Sequence, residues 1–435
     1  MNNFFVTHIS LRNFKGISSI DIDLQRDTNV FIGINGCGKS SILFAISLAL
    51  SQIIAKTGSE NKKKPIPFAV DFIKNDENES SISIDIVHKD ALFSGKLYQQ
   101  RYQKKTMRSD LDYAKEIALQ INFDLENNKN SSIPIAVFYS VGRNVLDVPL
   151  RIRSKHDFDQ LSAYSEALLD ARKVNDFRMF FEWYRDREDL ENEKIRDFAN
   201  NKMQFDSYKT FDYRDSQLNA VRNAIEVFFP EFHNLHIQRN PLKMVLDKKE
   251  GSFDNNLDVN QLSDGEKTML SMVGDLARRL AIANPSLNNP LDGCGIVLID
   301  EIDLHLHPQW EAEVLTKFHS TFPNCQFIVS THSPLVLSQQ ASQNVFKLYR
   351  DKNGSIVWHH PEAVNGLTVN EILNSLMDAP DMSPVIKSEL DNAYNAIEEE
   401  DWSSALRLIA AIRAKTGDAI PELTKVETYL NLCRG

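Results

Sequence analysis

The run Gly33-Ile34-Asn35-Gly36-Cys37-Gly38-Lys39-Ser40, followed by Ser41, has the residue types and spacing of a loop built to hold a chain of phosphates. Glycines let the backbone wrap closely, so that the N–H groups of the loop, Asn35 and Cys37 included, face the anion. Lys39 reaches the terminal phosphates, and the Ser40 hydroxyl is an oxygen ligand for Mg²⁺ at the positive end of a helix. ATP with Mg²⁺ is therefore the expected ligand. A second group closes an apolar run, Ile296-Val297-Leu298-Ile299-Asp300-Glu301. Successive side chains on a strand diverge, so Asp300 can hold Mg²⁺, directly or through water, while Glu301 polarises the attacking water. Two acids ending a strand are also ordinary surface residues, and their weight here comes from the company of the phosphate loop.

Two further segments accompany these. In Gln261-Leu262-Ser263-Asp264-Gly265-Glu266-Lys267, Ser263 stands where a helix N-cap would, with Asp264 and Glu266 in the first turn. Ser330-Thr331-His332-Ser333-Pro334 follows a later apolar run and offers a histidine at a strand end.

The elements that must position these groups follow from periodicity. Short strands are expected over residues 6–11, at Ile20, Ile22 and Leu24, and over 29–34, then a helix over 39–54 with Ile42, Leu43, Ile46 and Leu50 on one face. Residues 81–87 alternate like a half-buried strand, 133–139 read as a buried parallel strand, and the polar material between them reads as loop. From about 157 the chain turns rich in charge and aromatics at helical spacing. Strands return at 295–300 and 326–330 around a helix over 308–322, and another helix is expected over 268–283. That alternation means α/β architecture with a parallel sheet. Beyond Val364 the chain reads as helical, with apolar stripes at Leu390, Ala393, Tyr394 and Ile397 and at Leu406, Ile409 and Ile412. The resulting division is a first head segment, 1–156, a helical insertion, 157–250, a second head segment, 251–363, and a helical C-terminal region, 364–435.

Composition narrows the classes. The chain has 435 residues, 42% hydrophobic and 25% charged, with no apolar run of spanning length, and its start lacks a signal-peptide pattern. A cytoplasmic location away from membranes is expected. Four scattered cysteines have neither metal spacing nor disulfide density. The net charge of −11 argues against a surface uniformly attractive to nucleic acid. Local patches stay open as DNA or RNA contacts: Tyr98-Gln99-Gln100-Arg101-Tyr102-Gln103-Lys104-Lys105-Thr106-Met107-Arg108 and Arg151-Ile152-Arg153-Ser154-Lys155.

The order of motifs resembles the ABC-type ATPase head. The resemblance implies that Ser263, Asp264, Gly265 and Glu266 act in trans on a nucleotide held by another subunit, so that function requires a homodimer through the ATP sites or a higher oligomer. It also implies that His332 is the switch histidine facing the γ-phosphate. The loop G-x-N-G-x-G-K-S, Leu262-Ser263-Asp264-Gly265-Glu266 and Leu11-Arg12-Asn13-Phe14-Lys15-Gly16 are similar to the recombination, repair and chromosome-structure branch, in which Lys15 would lie near the nucleotide. Asp303-Leu304-His305-Leu306-His307-Pro308 looks like the form in overcoming-lysogenisation-defect ATPases. The acidic clusters of their TOPRIM nuclease are missing from the tail, no H-N-H pattern is present, and His305 with His307 lacks further metal ligands. No nuclease site is therefore expected in this chain. Over most of its length it resembles the PtuA-like ATPase subunit of the Septu anti-phage system, also found beside retrons. Residues 180–192, 221–225, 275–282 and 367–432 carry that resemblance. It implies a separate H-N-H endonuclease partner governed by the ATPase, with the tail either docking that partner or packing on the head. A recombination or repair ATPase acting directly on DNA is the alternative.

Overall fold

The computed structural model describes residues 3–58, 64–102, 107–143, 158–168, 178–202, 213–251, 253–378, 382–417 and 421–434. The basic run 151–155 and residues 103–106 of the other basic stretch lie outside them. The chain divides into two compact units, Met1–Leu367 and Thr368–Gly435.

In the first unit, β1 (Phe4–Phe14) and β2 (Ile17–Asp23) alternate buried and solvent-facing residues, as strands of an antiparallel sheet with one covered face should. β3 (Thr28–Ile32) is buried throughout and runs into the phosphate loop, after which α1 (Lys39–Ile54) begins. β4 (Glu79–His88) and β5 (Ala91–Gln100) complete a four-stranded sheet of order β2-β1-β4-β5. Residues 91–100 were expected as loop, as was α2 (Asp112–Asn127). β5 escapes the alternation rule because only Phe93 and Leu97 are buried, while Gly95 leaves room for the Tyr113 ring of α2.

β6 (Ile135–Tyr139) is an all-buried strand of the central sheet. α3 (Arg178–Lys202) and α4 (Ser216–Phe228) then form the expected helical part of the insertion, burying Phe180, Phe181, Trp183 and Tyr184. The helical reading fails beyond them. β7 (Phe232–Arg239), β8 (Leu242–Glu250) and β9 (Phe253–Asp258) make an antiparallel three-stranded sheet. A bulge between His233 and His236 breaks the period of β7, and β9 buries none of its residues, so neither carries a strand signal.

α5 (Asp264–Ala283), β10 (Gly295–Ile299), α6 (Pro308–Thr321), β11 (Cys325–Ser330) and α7 (Pro334–Leu337) follow. α5 starts four residues earlier than the apolar period suggests, at the Ser263 cap. The hairpin of β12 (Val345–Arg350) and β13 (Ile356–His359), unforeseen from sequence, extends the central sheet to the order β13-β12-β3-β11-β10-β6. Its five strands from β12 to β6 are parallel, and Ile299 is level with Val329 on one side and Tyr139 on the other. The carboxyl ends of β3, β11, β10 and β6 therefore share one edge, where open α/β sheets bind ligands.

The second unit contains α8 (Val369–Ser375), α9 (Pro384–Glu398), α10 (Trp402–Thr416) and α11 (Pro421–Arg434). Its apolar stripes pack on one another: Leu390, Ala393 and Ile397 meet Ala405, Ile409, Ile412, Leu423, Val426 and Leu430. Leu406, expected in the stripe, is exposed. Among the described residues no helix is long and apolar enough to cross a membrane.

One buried group makes the fold acid-sensitive. His88 in β4 is 1% exposed, both ring nitrogens lack a partner among the described residues, and its ring meets Phe4 edge-on. Burial, reinforced by Lys89, pushes its pKa down to about 4. The unfolded chain thus takes up this proton more readily, so the folded state keeps full stability above about pH 6.5 and loses up to about 3 kcal/mol as pH falls toward 4. His88→Phe is expected to flatten that loss. Urea midpoints at pH 7 and pH 5 measure it, and equal pH slopes for variant and wild type would contradict the assignment.

Candidate functional site

The phosphate loop is shaped by close backbone approaches. Gly33 has φ 140°, and a Cβ there would sit 2.2 Å from the Leu348 carbonyl oxygen of β12. Gly36 and Gly38 also have positive φ, and Arg350 at the end of β12 donates to the Gly36 carbonyl at 3.1 Å. Lys39 is 6% exposed, and its ammonium donates to the carbonyls of Gly33 at 2.7 Å and Ile34 at 3.4 Å. Burial lowers its pKa, opposed by Cys37 and then by the carboxylates of Asp300, Glu301 and Asp303. Cys37 is fully buried, whereas Asn35 and Ser40 face solvent.

Asp300, 4% exposed, joins this loop to the sheet edge. Its Oδ1 accepts from the Ser40 hydroxyl at 3.0 Å and from the Ser330 hydroxyl at 2.5 Å. These hard oxygen donors at the start of α1 fit the chemistry of Mg²⁺. Glu301 is half-buried and adopts φ 50°, a left-handed conformation costing a non-glycine residue about 1–2 kcal/mol. Its N–H donates to Ser330 Oγ at 2.8 Å, while Arg143, just past β6, donates through Nη1 to the Asp300 carbonyl and through Nη2 to the Glu301 carbonyl, both at 2.5 Å. Asp303 Oδ1 accepts from Thr331 Oγ1 at 2.6 Å and from the His332 N–H at 3.2 Å. The His332 imidazole stays exposed.

Residues 263–266 line a separate concavity. Ser263 caps α5 in a capping box with Glu266: Glu266 Oε2 accepts from the Ser263 N–H at 2.8 Å and hydroxyl at 2.7 Å. Glu266 Oε1 accepts from Lys248 of β8 at 2.9 Å, so the inserted sheet braces the cap. The hydrogen bonds from Lys248 and Ser263 hold the Glu266 carboxyl below its ordinary range against the opposing cost of burial. A Cβ on Gly265 would lie 2.3 Å from the His305 carbonyl oxygen, which leaves room for glycine alone. Asp264 pairs with Lys267 at 3.0 Å and points to solvent. Together with His305, His307 and Trp310, residues 263–266 line a groove of about 770 Å³.

The structure thus gathers Gly33, Lys39, Ser40, Asp300 and Glu301 at one edge and sets residues 263–266 in the second groove. Lys15 lies with its ammonium 4.2 Å from the centre of the Phe44 ring of α1. His307 caps α6 by accepting from the Gln309 N–H at 3.4 Å. Gln99 and Gln100 sit on β5, bonded to the Phe68 carbonyl and the Tyr98 hydroxyl. Arg143 and Lys248 escaped sequence reasoning; the only signal for Arg143 was a lone basic residue just past a buried strand. Arg101, from the basic stretch, spends its guanidinium on the carbonyls of Ile73, Lys74 and Glu77. Among the described residues no group of three or more His, Cys, Asp and Glu could hold a metal ion.

Residues 28–338 match the family described as "AAA domain, putative AbiEii toxin, Type IV TA system". The chain is 31% identical over 453 residues to the "Retron Ec83 probable ATPase" of Escherichia coli, covering 92% of this chain and 81% of that one. It is 29% identical over 343 residues to "Septu protein PtuA" of Bacillus mycoides (strain KBAB4), covering 77% of this chain and 39% of that one. Among solved structures, the "SMC head domain from Thermotoga maritima" superposes with a TM-score of 0.39 at 13% identity, covering 82% of this chain and 99% of that chain.

Replacing Lys39 with Ala removes the single cation within residues 33–40. ATP affinity, read with a fluorescent nucleotide analogue, should fall by about 100-fold or more. Ordinary affinity in that variant would remove the loop from the site.

Proposed function

The chain belongs to this AAA-domain family, and from that premise we propose that it binds ATP with Mg²⁺, hydrolyses it between two copies of itself, and through that cycle governs a separate H-N-H endonuclease in anti-phage defence. The observation that carries the reading is the split of the chemistry into two surfaces. Lys39, Ser40, Asp300 and Glu301 gather at the sheet edge, and the braced cap of residues 263–266 lies in a different groove.

In this reading the phosphates exchange the neutral carbonyl partners of Lys39 for charged ones, a gain for a buried ammonium. Ser40 and Asp300 would hold Mg²⁺, which would supply positive charge to offset the negative charge of the phosphates. Glu301, its peptide held by Ser330 and Arg143, orients the attacking water and takes up its proton. His332, on the loop held by Asp303, approaches the same phosphate. The Ser263 hydroxyl and the amides near Gly265 of a second copy cover it from the other side, at the positive end of α5.

The retron and Septu relatives support the defence role. The acidic balance of the chain and the structural use of Arg101 weigh against direct action on DNA. The C-terminal region, 364–435, is the proposed docking part. It has its own apolar core, yet leaves Val385 and Leu432 exposed. Co-expression with neighbouring genes and pull-down on this chain tests the partner. Recovery of no nuclease, together with turnover stimulated several-fold by DNA alone, would favour the repair ATPase instead.

Glu301→Gln should retain ATP binding while lowering kcat by at least about 100-fold and accumulating an ATP-loaded dimer on size-exclusion chromatography with light scattering. Unchanged turnover in that variant would reduce the protein to a passive ATP binder. Ser263→Arg should bind ATP as a monomer yet fail to dimerise, and full activity in it would exclude the in-trans arrangement.

A further inference from the structure

We infer that Arg143 is a positioning residue for ATP hydrolysis, acting through the backbone of Asp300 and Glu301. The inference rests on the reading of Glu301 as the residue that orients the attacking water.

The peptide groups around Glu301 lie where β10 has run out of ladder partners. Their donors are still served by the sheet: the Asp300 N–H bonds to the Tyr139 carbonyl at 2.9 Å, Glu301 N–H to Ser330 Oγ at 2.8 Å, and Ile302 N–H to the Ser330 carbonyl at 2.9 Å. The acceptors are served differently. The Asp300 carbonyl takes Arg143 Nη1 and the Glu301 carbonyl takes Arg143 Nη2, the latter also accepting from the Leu304 N–H at 2.9 Å. Arg143 Nη1 also reaches back to the Ser140 carbonyl at 3.2 Å, which ties the fork to its own loop. One planar fork therefore spans two successive carbonyls across the peptide that joins the two acids, and it does so at a residue with φ 50°. A lysine ammonium is a point donor and lacks the paired, coplanar N–H groups for this.

The arrangement is poor as a device for stability alone. Arg143 is 6% exposed, and among the described residues its Nε has no partner and its charge is met by main-chain oxygens rather than by a carboxylate in contact. Burying a cation on such terms costs folding free energy unless its geometry is put to use. What the fork fixes is the direction in which the Glu301 side chain leaves the backbone. A loosened peptide would let the carboxylate swing while the phosphate loop, whose contacts are Lys39, Ser40 and the amides, keeps its nucleotide.

The test uses the full chain with Arg143→Ala, Arg143→Lys, Glu301→Gln and the double variant Arg143→Ala with Glu301→Gln. The single arginine variants should lose 10-fold or more in kcat while KM and the affinity for a fluorescent ATP analogue stay within about threefold. Methylguanidine, and not methylamine, should restore part of the kcat of Arg143→Ala. The double variant should turn over no more slowly than Glu301→Gln alone, because both act through one carboxylate. If Arg143→Ala fails to fold, Arg143→Lys carries the same readings. Full kcat in Arg143→Lys, a parallel loss of ATP affinity, or additive losses in the double variant would overturn the assignment. Full turnover in Glu301→Gln would instead sink the reading of Glu301 on which it rests.

Discussion

One carboxylate oxygen, Asp300 Oδ1, accepts hydroxyls from both Ser40 and Ser330, and so draws the start of α1 and the ends of β10 and β11 to a common point. A carboxylate this buried needs donors, since desolvation penalises an unmatched charge far more than an unmatched hydroxyl. The parallel register supplies them. With Ile299 level with Val329 and Tyr139, the residues just past each strand end fall beside one another, and small shifts would separate them. The gathering of these groups at one edge is in this sense a by-product of strand alignment, and the hydroxyls and the guanidinium of Arg143 refine what the register has already brought close.

Much of that edge could be read before any coordinates existed. Residues 33–40 and 295–301 are local patterns, in which a glycine spacing or an apolar run is followed at once by its polar terminus. The helix after the loop is named correctly to both ends, Lys39 and Ile54, because every third or fourth residue is apolar. Arg143 was illegible for the opposite reason. Its partners lie 157 and 158 residues away, and they are main-chain oxygens that leave no trace in residue type. β5, β7 and β9 were missed since edge strands and small exposed sheets bury too few side chains to alternate. The basic segments misled in part: Arg101 looks like a phosphate ligand in sequence and is a tether for its own neighbours in space.

The insertion is more than an appendage. Lys248 of β8 reaches Glu266, so the conformation of the Ser263 cap depends on a sheet that the sequence pattern left unannounced. On the far side of the same helix, Asp275 holds Arg278 at 2.7 Å and Arg279 at 2.7 Å and accepts from the Tyr139 hydroxyl at 2.9 Å. Attraction to the two guanidinium groups outweighs desolvation and keeps this carboxyl well below its ordinary range. α5 is thereby fastened to β6, the strand whose end carries Arg143 and whose neighbour carries Asp300.

The contact between Gly265 and the His305 carbonyl carries an implication of a different kind. His305 lies four residues beyond Glu301, with left-handed backbone at both positions, so the segment between them is short. In the dimer proposed above, Glu301 would serve the nucleotide of its own copy while Gly265 serves that of its partner. A segment of only four residues would then link the two pockets in each copy. Two such segments, related by the symmetry axis, would let the state of one nucleotide bear on the other, so that the pair is counted together rather than one at a time.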